Sequence, residues 1–100
     1  TYNNLNIVGA TKTDSLGKLI LSELDLNGKS GFVVKEGSTL KFSDIKLTGN
    51  ESAITNNNGS LIFENNNLID GKVTGTTATN TGVLNIDANN LDVILTNDGI

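Results

Sequence analysis

The sequence predicts an all-β fold: a right-handed parallel β-helix, a solenoid with about 21 residues per coil and four to five coils. Three observations carry this expectation. Apolar residues recur in columns at a fixed long step, and within each unit they alternate with a period of two. Asparagine and glycine interrupt the chain too often for any sustained helical pattern.

The columns are explicit. Leu5, Leu26, Leu47 and Leu68 are 21 residues apart, and Leu91 follows after 23. Leu19, Leu40 and Leu61 keep the step of 21 before Leu84 at 23, and Leu21, Phe42, Phe63 and Ile86 run in parallel with them. A fourth column holds Leu24, Ile45, Asn66 and Asn89. All four slip together between Leu68 and Leu84, so a single two-residue insertion accounts for them.

The coils are expected near 1–18, 19–39, 40–60, 61–83 and 84–100. The first is a partial coil carrying Leu5. The second opens on Leu19-x-Leu21 and Leu24-x-Leu26, turns, adds the apolar patch Phe32-Val33-Val34 and turns again at Gly37. The third repeats this with Leu40, Phe42, Ile45 and Leu47, then Ala53-Ile54-Thr55 and Gly59. The fourth starts at Leu61 and Phe63 and contains the departure from the repeat, Gly71 to Gly82. The fifth starts at Leu84 and Ile86. A lone unit of this size cannot bury its apolar face, whereas stacked units pair each strand with its equivalent about 4.8 Å away. Leu19, Leu40, Leu61 and Leu84 would then form one inward ladder, and Leu21, Phe42, Phe63 and Ile86 its neighbour. Asn66 and Asn89 would form an asparagine ladder within a turn. Neither end reads as a cap, so the chain is expected to be an excerpt of a longer solenoid. An antiparallel β-sandwich is the alternative, since period-two strands and Gly/Asn turns suit it as well.

Charge and composition narrow the function. The net charge of −4 and seven scattered lysines argue against a nucleic-acid partner. No run of about 18 apolar residues offers a membrane-spanning helix, so direct membrane insertion is not expected. With no cysteine there is no disulfide, and with no histidine a serine nucleophile lacks its base. Arginine is absent, and Tyr2 is the only Tyr or Trp that could serve as a sugar platform. Asp25, Asp44, Asp70, Asp87 and Asp92 follow no calcium-loop spacing. Glu23 and Asp44 would lie one coil apart on an outward position, the one carboxylate pair that glycoside hydrolysis could use. The expectation is therefore no catalysis, no cofactor and no metal. Gly71 to Gly82 is the candidate binding loop, through Lys72, Thr74, Thr76, Thr77 and Thr79, because insertions in solenoids map to surface loops.

The stretch Ser52-Ala53-Ile54 followed by Phe63-Glu64-Asn65-Asn66 resembles the repeats of chlamydial-type polymorphic membrane proteins, which pair a GGA(I/L/V) motif with FxxN. Phe63 to Asn66 matches FxxN in full; Ile86-Asp87-Ala88-Asn89 is a weaker copy, and Phe42-Ser43-Asp44-Ile45 keeps only the Phe. Glu51 and Ser52 stand where two glycines would be. The resemblance implies a secreted autotransporter-type passenger at the bacterial outer membrane, acting in virulence as an adhesin. Its partner would be a host or bacterial surface receptor, protein or glycan. The alternative is a structural subunit of an extracellular filament or phage fibre, whose coils stack on adjacent subunits.

Overall fold

The computed structural model describes residues 4–10 and 12–100. It is a parallel β-solenoid of about four turns, wound among the described residues from eleven strands and one short 3-10 turn. The first coil contains β1 (Asn4–Val8), the hairpin strands β2 (Lys12–Thr13) and β3 (Leu19–Ile20), β4 (Ser22–Asp25) and β5 (Phe32–Lys35). The second contains β6 (Thr39–Thr48) and β7 (Ser52–Asn57), and the third β8 (Ser60–Ile69) and β9 (Lys72–Asn80). Then come β10 (Val83–Ile86), the 3-10 turn (Ala88–Asn90) and β11 (Leu91–Asn97).

The strands form two faces. On the first, β6 pairs in parallel with β1 and β4 on one side and β8 on the other, and β8 passes the ladder to β10. On the second, β5, β7, β9 and β11 pair in parallel in that order. Antiparallel pairing among the described residues is confined to the β2–β3 hairpin and one isolated bridge between Lys35 and Asn58. The sandwich alternative is thereby excluded.

Between the second and third coils the expected ladder holds. Leu40 stands opposite Leu61 and Phe42 opposite Phe63, a step of 21 residues. All four side chains are buried. The Phe42 and Phe63 rings stack at 5.9 Å, and Phe32 meets Phe42 edge-on at 5.4 Å, both within the range in which aromatic pairs add to burial. The inward alternation of β6 changes phase at Asp44, where a positive φ of 60° makes a bulge; β8 bulges at Asn65, φ 57°, but carries one residue more there, so Leu61, Phe63, Asn67 and Ile69 keep one parity. Beyond the bulge, Ile45 stands opposite Asn67 and Leu47 opposite Ile69.

Elsewhere the expected columns are corrected. Leu19 pairs with Thr13 inside the hairpin, and it is Leu5 that faces Leu40 and Ile7 that faces Phe42. The cause is that the chain leaves the first coil after Val8, makes the hairpin, and rejoins at Ser22; Leu21 lies just ahead of that return, outside the ladder. Leu47 sits between Leu24 and Ile69 rather than between Leu26 and Leu68. Leu84 faces Asn67 and Ile86 faces Ile69, so neither continues the Leu61 and Phe63 columns. Asn66 faces Val83, and Asn89 lies exposed in the 3-10 turn, so the two form no ladder.

The chain after Leu68 is also not an insertion. Residues 72–80 form β9, whose first half pairs with β7 on the second face and whose end pairs with β8 on the first. In the earlier coils a turn separates the two faces; here one strand rounds the corner. The coil shortens accordingly: Phe63 stands opposite Asn80, and Asn80 opposite Asn97, steps of 17. The coil boundaries expected at 61–83 and 84–100 move with it.

Candidate functional site

The interior of the solenoid is closed by three buried asparagines. The Asn56 side-chain amide donates to the carbonyls of Gly59 and Thr77, at 3.0 and 2.8 Å, while its oxygen accepts from Gly59 N–H at 2.8 Å. Asn67 donates to the carbonyls of Glu64 and Phe42 and accepts from Ile45 N–H. Asn80 donates to the carbonyls of Gly82 and Ile100 and to the Asn97 side chain, 2.9 Å away. Each bonds at once along its own turn and across to a neighbouring coil, Asn56 and Asn80 to the one after and Asn67 to the one before. A buried amide with its full set of partners stabilises a corner; stripped of them it would cost about 1–3 kcal/mol per unmade bond. These residues were missed in the sequence in favour of Asn66 and Asn89. The available signal was their neighbours: Asn56 and Asn67 belong to asparagine triplets, and Asn80 precedes a glycine turn.

The candidate site lies outside this frame, on the second face. Val33, Thr55 and Thr74 follow one another on successive rungs of β5, β7 and β9, and Asp92 of β11 continues the row. The Thr55 and Thr74 hydroxyls lie 3.4 Å apart. Beside Thr55 the surface dips into a depression of about 320 Å³ lined by Ser30, Gly31, Phe32, Val33, Asn50, Ser52 and Thr55. The Asn50 amide is fixed there, donating to the Lys29 carbonyl at 2.6 Å and accepting from Ser52 N–H at 2.9 Å.

The five residues expected to form a binding loop are all in β9. Lys72 faces Ser52 and pairs with Glu51 at 4.0 Å. Thr74 belongs to the hydroxyl row. Thr76 is structural: its hydroxyl donates to the Asn56 carbonyl and accepts from Asn58 N–H. Thr77 is exposed at the corner, and Thr79 lies beyond it on the first face, opposite Ile62. The strand therefore spreads these groups around the corner instead of gathering them at a loop tip.

The carboxylates also part company. Glu23 faces Lys46 and pairs with it at 3.9 Å, while Asp44 holds the bulge by accepting from Asn66 N–H and the Asn65 amide. Lys41 and Glu64 make a third pair across rungs, at 3.6 Å. Exposed pairs of this kind contribute about 0–1 kcal/mol each. Among the described residues no three His, Cys, Asp or Glu side chains gather as a metal site would require. Tyr2 lies outside the described residues. No family model, no curated protein and no solved structure matches this chain. The chemistry the second face offers is a pair of neutral hydroxyls on a hydrogen-bonded strand lattice, with the Asp92 carboxylate on the next rung.

Proposed function

We propose that this chain is a stiff exported segment of a bacterial autotransporter-like adhesin, at the outer membrane surface, that mediates attachment to host or neighbouring cells. The observation that supports this reading most is the Thr55–Thr74 row with its adjoining depression: polar groups held on hydrogen-bonded rungs, with little left to order on binding. The FxxN match at Phe63 to Asn66 supports the kinship with chlamydial-type polymorphic membrane repeats: Phe63 is a core ring, and Asn66 follows the bulge at Asn65, its N–H donating to Asp44 of the coil before. Stacked parallel rungs give the stiffness that a spacer on a cell surface needs.

The test is adherence. Beads coated with the purified chain should capture bacterial or host epithelial cells, and T55K/T74K should cut capture about tenfold while leaving circular dichroism unchanged, since an unpaired charge on a hydroxyl surface leaves ligand groups unmatched. Equal capture by parent and variant, or no capture by the parent, overturns the reading.

A further inference from the structure

The β2–β3 hairpin has no role in the core. It packs mainly on itself and stands off the corner that the second coil turns with Asp44 alone and the third with Asn65 and Asn66. Asp14 closes its tight turn, accepting at Oδ1 from Leu16 N–H and Lys18 N–H at 2.8 and 2.9 Å. What the hairpin presents is apolar and cationic: Leu16 is 90% exposed, Ile20 46% and Leu19 37%, with Lys12 and Lys18 beside them. Neither lysine has an ion-pair partner among the described residues, whereas Lys41, Lys46 and Lys72 each pair with a glutamate.

The far end of the solenoid carries the opposite charge. No lysine follows Lys72, while Asp87, Asp92 and Asp98 all do. Asp87 caps the 3-10 turn by accepting from Asn89 N–H, but Asp92 and Asp98 are exposed and make no ion pair among the described residues. Between them in sequence, on β11, Ile94 is 75% exposed. An apolar side chain on β11, with Asp92 on the same strand and Asp98 just past its end, mirrors the apolar side chains beside ammonium groups on the hairpin.

We propose that the hairpin docks on the outer surface of β11 in a second copy of this chain, with Leu16 and Ile94 in contact and Lys12 and Lys18 set against Asp92 and Asp98. The two surfaces are different patches of one molecule, so the contact is head-to-tail and adds copies without closing on itself unless the rotation happens to make a ring. Self-association of this kind stands independently of adhesion to a receptor, and either can fail without the other.

Sedimentation velocity over a concentration series tests it. At about 20 mM salt the weight-average mass should rise with concentration above that of the monomer, and at about 500 mM it should fall back, because the Debye length drops severalfold. K12E/K18E and D92K/D98K should each weaken association about tenfold or more, and an equimolar mixture of the two variants should recover it. Purified chain that stays monomeric at low salt, or variants that associate as the parent does, overturns the proposal. So does binding of the hairpin to vesicles rich in anionic phosphatidylserine without any self-association.

Discussion

Phe63 shows how much one side chain decides here. It is fully buried, stacked on Phe42 below and followed by Asn80 above, so no neighbour can move aside without disturbing a rung. Replacing it with aspartate puts an unpaired charge into that column and should destabilise the chain by about 4 kcal/mol or unfold it. Thr77→Asp, at an exposed corner position, should change stability by less than about 0.5 kcal/mol. Thermal melts followed by circular dichroism check the pair; equal melting temperatures would mean that the Phe42–Phe63 ladder is not what holds the coils together. At this scale the sequence was legible where the side chain was large and apolar. It was misleading for asparagine, because an inward amide that closes a corner and an outward one in a turn share the same composition. Only the hydrogen bonds of Asn56, Asn67 and Asn80 separate them from Asn66 and Asn89.

At the scale of strands, parity explains what could be read and what could not. A shift by an even number of residues leaves every side chain of a strand on the same face. The apolar pattern therefore fits Leu84 above Leu61 as well as it fits the observed shorter step, in which Phe63 meets Asn80, since the two registers differ by six residues. Pattern fixed the face and left the register open. The first coil misled for a different reason: Leu19 alternates as a core strand would, but it sits in a hairpin inserted between Val8 and Ser22. The threonine run of β9 read as a loop because threonine and glycine dominate it, yet Val73, Ala78 and Asn80 point inward and are buried. Gly75 is the residue that lets this strand turn the corner. Its φ of 122° is one that side chains rarely adopt, and a Cβ there would run into the Asn56 carbonyl. Gly75→Ala should therefore cost about 1–3 kcal/mol, read as a lower urea midpoint with an unchanged slope. A midpoint equal to the parent's would mean the strand rounds the corner by some other route.

For the whole molecule, stability should fall away from the middle. β6 and β8 are paired on both sides and carry most of the buried apolar side chains, whereas β1, β5 and β11 each have one paired neighbour among the described strands. Because solenoid stability is a sum over neighbouring units, hydrogen exchange should be slowest at the amides of β6 and β8 and faster by an order of magnitude or more in β1 and β11. Uniform protection along the chain would contradict a rung-by-rung assembly. The overall architecture was the most legible level, since stacking of like residues at a step of 21 follows from the repeat itself, as Leu40 on Leu61 and Phe42 on Phe63 show. The hydroxyl row was not, because Thr55 and Thr74 are 19 residues apart and meet only once the coil has begun to shorten.

That shortening has a mechanical consequence. In a solenoid with a turn at every corner, one wall can peel from the other under load while both stay zipped lengthwise. A single strand that is stitched into both walls removes this option: pulling on either transmits force through Gly75 to the other, and a protease nick there would loosen the two together.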